Sequence, residues 1–161
     1  MKTNTILLTI LILVIIGGGI VFFSGDNSQD KQSTIKSVST LSSDKPLYDF
    51  GEIDIFGGKV TTEFMLTNKG EEDITILGGT TSCGCTEAEL GGMRFGMHQN
   101  IVKDFIIPAG ESRPLKVIYD PLAHGPSGIG LAQRSVFLKT NSSVNPEFEV
   151  RIKALVVNKN N

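Results

Sequence analysis

Beyond Ser24 no segment keeps a helical period, whereas apolar and polar residues alternate one by one along several short stretches. Val60, Thr62, Phe64 and Leu66 alternate with Thr61, Glu63, Met65 and Thr67, and Phe148, Val150, Ile152 and Ala154 alternate with Glu149, Arg151 and Lys153. Successive side chains of a strand point to opposite faces, so each stretch is expected to be a strand with one buried side. Further strands are expected at 47–53, 74–80, 101–107, 114–119 and 134–140, divided by turn-forming runs such as "NKGEED", "PAGESR" and "TNSSVNPE". About seven short strands in little more than a hundred residues predict an all-β fold, an antiparallel β-sandwich with Ig-like architecture.

The inter-sheet disulfide of antibody domains is excluded, because it joins cysteines far apart in sequence and this chain has only Cys83 and Cys85. No Trp is present either, so the core is expected to rest on Phe50, Phe64, Ile76, Phe105, Val117, Phe137 and Val150.

The N-terminal part is of another kind. Residues 6–23, "ILLTILILVIIGGGIVFF", carry no charge over a length of roughly eighteen residues, near the lower limit for a helix crossing a bilayer. Phe22, Phe23, Ser24 and Gly25 provide no small-x-small cleavage site, which favours an uncleaved transmembrane anchor over a removed signal. Lys2 precedes the run, so the positive-inside tendency leaves that end in the cytoplasm and places the rest of the chain outside. Residues 25–45 are rich in Ser, Asp, Gln and Lys and read as a polar linker. The expected organisation is an anchor over 1–24, this linker, a sandwich domain over 46–157 and a polar tail over 158–161.

Five pieces, "YDFGEI", "FMLTNKGEEDITI", "TSCGCTEAE", "IPAGESRPLKVIYDP" and "SVFLKTN", follow one another in an order that resembles domain of unknown function family 1573. The resemblance spans about 46–156, with the Cys-Gly-Cys piece its most specific part. It implies an Ig-like fold related to sandwich modules of cilium and centrosome proteins, and a bacterial envelope location. It implies no particular activity. The segment 89–103 is longer than the family's usual link to "IPAGE".

Enzyme signatures are absent: there is no His-Glu-x-x-His, Gly-x-Ser-x-Gly, phosphate loop or Cys-x-x-Cys. The chain is therefore expected to bind and not to catalyse. A net charge of −2 with mixed signs argues against a nucleic-acid partner. What remains is sulfur. Cys83 and Cys85 sit two apart, so on extended backbone both thiols face one way and can chelate. A bridge between them would close a very short loop, ask Gly84 for an unusual backbone conformation and be easily reduced. The third alternative, a pair of inert buried thiols, is disfavoured outside the cytoplasm, where free pairs oxidise.

Met93, Met97 and His98 stand in a glycine-interrupted loop, and His124 stands in a second loop, "DPLAHGPSG". Thiolate, thioether and imidazole are the soft donors that suit Cu(I), with Zn(II) the lesser candidate. Since the loops at one end of a sandwich gather together, Cys83, Cys85, Met93, Met97, His98 and His124 form the candidate metal site. Two alternatives stay open: an envelope protein-interaction or scaffolding module with a local Cys83–Cys85 staple, and a thiol–disulfide exchanger.

Overall fold

The structure, a computed structural model, describes residues 36–98 and 105–159. The expected anchor at 6–23 lies outside the described residues, among which no helix is long and apolar enough to cross a membrane.

Ten strands appear among the described residues: β1 Leu41–Ser43, β2 Leu47–Asp54, β3 Val60–Asn68, β4 Ile74–Thr81, β5 Thr86–Leu90, β6 Met93–Phe95, β7 Phe105–Ile107, β8 Ser112–Tyr119, β9 Gly130–Thr140 and β10 Glu147–Val157. They form two five-stranded sheets, ordered β1-β3-β8-β5-β6 and β2-β10-β9-β4-β7. The all-β sandwich is as expected, but the strand number is larger. The strands not expected are β1, β5 and β6: β1 and β6, of three residues each, are too brief for alternation to mark them, and β5 has only five, whereas β7 falls within the strand expected at 101–107.

Two expectations need correction. The sandwich is not wholly antiparallel: β2 runs parallel to β10, with Leu47 opposite Arg151 and Val157 opposite Asp54. The fold also begins before Pro46. β1 pairs with β3, Leu41 is 2% exposed, and Ser37 bridges to Ser142, so the end of the expected linker is part of the sandwich. Its serines resemble a tether in composition, yet Ser37 and Ser39 are buried, with the Ser37 hydroxyl accepting from Ser39 N and the Ser39 hydroxyl donating to Glu72 O, which removes the penalty for burying them.

The core lies between the sheets. Thr62, Phe64 and Leu66 of β3 and Val150, Ile152 and Ala154 of β10 point inward, as the alternation requires. Phe64, Ile76, Val117 and Val150 are buried, and Phe50 and Phe105 pack against the core from partly exposed positions. Phe137 departs from expectation. Its neighbours Val136 and Leu138 are at 1% and 0% exposure, so Phe137 faces outward, where it lines a shallow trough with Leu77, Gly78 and Gly79. In an unbroken Val-Phe-Leu run parity cannot be read from the run itself; pairing with β10 and β4 fixes it.

Candidate metal and redox site

Two connections cross between the sheets at the same end of the sandwich. β4 belongs to one sheet and β5 to the other, and the four residues that join them are Ser82 to Cys85. β8 and β9 likewise belong to different sheets, and their link carries His124. Since Thr86 pairs with Tyr119, the last residue of β8, both crossings leave from the same rim. That topology brings residue 124 to the cysteines.

The first crossing is tightly fixed. Thr86 N donates to Cys83 O at 3.1 Å, and Ser82 N donates to Ser135 O at 2.9 Å. The Thr81 hydroxyl stands 3.0 Å from Cys83 O and 2.9 Å from Thr86 O. Asp120 N donates to Cys85 O at 2.9 Å, tying the crossing to the start of the second one. There, Asp120 Oδ1 accepts from Leu122 N at 3.0 Å, and Gly125 N donates to Leu122 O at 2.8 Å, so His124 sits in a hydrogen-bonded turn. The backbone around the sulfur is thus defined on both sides.

Cys83 and Cys85 are joined as a disulfide, with Cα atoms 5.2 Å apart. Gly84 meets this closure without using the left-handed region, contrary to expectation, and a Cβ there would touch nothing. The two sulfurs have unequal surroundings. Cys83 is partly exposed, and its Sγ lies 3.1 Å from Nε2 of the exposed His124. Cys85 is only 3% exposed; its Sγ accepts from Arg134 Nε at 3.0 Å and lies 3.7 Å from Thr86 Oγ1. The candidate donor atoms of Cys83, Cys85 and His124 all fall within 4.8 Å of one another.

The remaining candidates are placed differently. Met93 is not on a loop: it begins β6, opposite Leu90 at the far turn of the β5–β6 hairpin, and packs against the core. Met97 and His98 return toward the sulfur end and, with Gly84 and Thr86, line an adjoining cleft of about 220 Å³. Both are exposed.

Arg134 was not foreseen, although its position carried a signal. Ala132, Val136, Leu138 and Thr140 of β9 are buried, and Arg134 has the same parity. A permanently charged residue at an inward position calls for a partner, which here is sulfur. Tyr119, 2% exposed, belongs to the same rim. Burial pushes its phenol above the ordinary value, partly opposed by the Arg134 guanidinium and reinforced by Asp120.

The family model for proteins of unknown function DUF1573 matches residues 41–156. The chain belongs to the DUF1573 family. Its Cys-Gly-Cys crossing therefore lies within the DUF1573 domain, which takes in β1 and all but the last residue of β10. Among solved structures, the domain is similar to a protein of unknown function from Porphyromonas gingivalis W83, with a TM-score of 0.58 and 16% identity over 73% of this chain and 46% of that one. This chain thus spans less than half the length of that protein. It is also similar to a family 123 glycoside hydrolase from Clostridium perfringens, with a TM-score of 0.50 and 6% identity over 76% of this chain and 28% of that one. The ASH/PapD-like domain of human CEP192 aligns with a TM-score of 0.47 and 12% identity, over 76% of this chain and 89% of the other. At these identities the first two likenesses concern the fold alone. A search of curated protein sequences finds no match.

Proposed function

We propose that this DUF1573 chain is a membrane-anchored binding module, held by residues 6–23 with its sandwich outside the cytoplasm, that takes up Cu(I) at Cys83, Cys85 and His124 when the cysteines are reduced. The observation that carries this is the convergence of two sulfurs and one imidazole within 4.8 Å. Two thiolates and one neutral nitrogen form a soft three-donor set suited to Cu(I). Zn(II) asks for a fourth donor in a structural site, and among the described residues no further Cys, His, Asp or Glu joins the group. Met97 and His98 line the neighbouring cleft and not the group itself. The bridged sulfurs lack the thiolate charge that binds metal, so the binding form is the reduced one.

The test is anaerobic titration of the reduced, full-length chain in detergent with Cu(I), against a competing chelator. One ion per chain is expected. Cys83→Ser should abolish uptake and His124→Ala should weaken it; uptake that survives loss of both cysteines refutes the assignment. Location is tested separately by a reporter fused after Asn161, which should be active outside the cytoplasm and remain with membranes.

A second function, contact with an envelope protein, is favoured by one feature. Leu131 and Leu155 oppose each other across β9 and β10 yet stay 76% and 45% exposed. Leu131→Lys should leave folding and copper uptake intact while reducing crosslinking to envelope proteins; unchanged crosslinking would remove this reading.

A further inference from the structure

We propose that the Cys83–Cys85 bridge is a gate on this site, opened by an external thiol that attacks Cys83, with Arg134 positioned to receive the Cys85 sulfur as it leaves. The inference rests on the proposed metal site for what the gate controls; the exchange chemistry stands on geometry of its own.

Attack on a disulfide requires access to one sulfur and produces a thiolate on the other. The two sulfurs are unequal in both respects. Cys83 is partly exposed at the rim, whereas Cys85 is 3% exposed and covered. Arg134 Nε already donates to Cys85 Sγ at 3.0 Å. The guanidinium is charged at every working pH, and hydrogen bonds to an ionised acceptor are about twice as strong as neutral ones. Bond cleavage therefore places negative charge where a cationic donor already stands. No such cation is fixed on Cys83, whose neighbour is the exposed imidazole of His124.

The step balances as follows. An external thiolate attacks Cys83 Sγ, forming a mixed disulfide; the Cys83–Cys85 bond breaks and its electron pair leaves with Cys85 beside Arg134. A second external thiolate attacks the outer sulfur of the mixed disulfide, which releases the oxidised external disulfide and leaves a thiolate on Cys83. Two external thiols have supplied two electrons, and their two protons pass to solvent or to the cysteine pair. The opened pair and His124 then present the three metal donors, and the reverse exchange with an external disulfide, which takes up the two electrons and leaves as two thiols, withdraws two of them.

The experiment uses the full-length chain in detergent, freed of metal by a chelator, with dithiothreitol and glutathione disulfide as probes and circular dichroism to confirm folding. Glutathione disulfide should modify Cys83 in Cys85→Ser at least about tenfold faster than it modifies Cys85 in Cys83→Ser. Opening by dithiothreitol should slow on the order of tenfold in Arg134→Met and recover in Arg134→Lys, which keeps the charge. Equal modification of the two single-cysteine proteins overturns the proposal, as does an unchanged opening rate in folded Arg134→Met. If Arg134→Met does not fold, the single-cysteine comparison decides alone. Because no copper is present, failure to bind Cu(I) would remove the metal assignment and leave the exchange intact. Symmetric exchange in a copper-binding protein would remove only the gate.

Discussion

The two ends of β4 hold opposite kinds of polar chemistry. At its start, around Ile74, hydroxyls and amides are buried and joined to the backbone. Asn68 is fully buried, with its amide donating to Glu72 O at 2.8 Å and Ile107 O at 3.0 Å while its Oδ1 accepts from Gly70 N at 3.0 Å. Ser39 Oγ donates to Glu72 O, Ser142 Oγ donates to Ser39 O, and Asn145 Oδ1 accepts from Leu41 N. At its finish, beyond Thr81, stand sulfur, imidazole and guanidinium, with His124 exposed and Cys83 partly so. The first set locks the incoming strand β1 to the sandwich. The second leaves one sulfur and one imidazole within reach of solvent. Buried side-chain polar atoms without a partner are absent from both ends among the described residues, so the contrast lies in what the partners are.

Mutations should separate the ends cleanly. The largest effect is expected from Asn68→Ala, which strips three partners of a buried amide and should lower unfolding free energy by about 3 kcal/mol in a urea titration, without altering copper uptake. A loss below about 1 kcal/mol would mean that this end is solvated and that the contrast is weaker than drawn.

Two glycines provide a matched pair of intermediate size. A Cβ on Gly70 would meet Ser39 Oγ and lie 2.5 Å from Ser39 Cα, whereas one on Gly84 would meet nothing. Gly70→Ala should therefore destabilise by roughly 2 kcal/mol through forced displacement of the β1 approach, and Gly84→Ala should be within about 0.5 kcal/mol of the parent. Thermal melts of the two variants would show whether the clash is relieved locally. Equal melting temperatures would contradict the close approach.

Cys83→Ser should lower stability by no more than about 1.5 kcal/mol, because the loop closed is so short, while it removes the bridge and the proposed copper uptake. A collapse of folding in that variant would turn the sulfur end into a structural staple.

The smallest effect lies partway along β3. Asp44 accepts from Lys45 Nζ at 2.6 Å, Met65 N at 2.9 Å and Ser43 Oγ at 3.1 Å. The Lys45 hydrogen bond above all holds its carboxyl below the ordinary 3.8; burial opposes it, and the weaker bonds from Met65 and Ser43 add to the lowering. A lowered folded value means stability that is present above pH about 4 and lost as pH falls through the folded value. The group is largely exposed, so the loss should be a few tenths of a kcal/mol at most. Asp44→Asn should flatten that part of the stability profile below pH 4 and leave neutral-pH behaviour of both ends unchanged.

Much of the frame was legible because burial writes itself into strands with period two: β3 and β10 declare their faces residue by residue. The first strand was not, since Ser42 and Ser43 beside Leu41 look like linker, and only long-range pairing with Leu66 to Asn68 makes them a sheet edge. The meeting of Cys83, Cys85 and His124 was legible in kind, from soft residue types on connections, but its membership was decided by topology. Met93 dropped away because two glycines before it make a hairpin turn, which starts a strand at the residue read as loop. Arg134 could have been found by parity. What parity could not supply was the cross-sheet neighbour, because residues 85 and 134 lie in separate elements with no local signal linking them.

The parallel pairing of β2 with β10 sets an order of events in time. Leu47 waits for Arg151, and Ser37 for Ser142, so β2, at the sheet edge beside β10, has no strand to pair with until the last has been made. Contacts this distant in sequence are slow to form and resist formation on a partial chain. While it is being synthesised, the chain accordingly remains threadable, and the sulfur end acquires its fixed surroundings only after β9 has brought Arg134 into place. Any truncation ahead of Val150 would therefore yield a chain that keeps both cysteines but lacks the strand that closes its sheet.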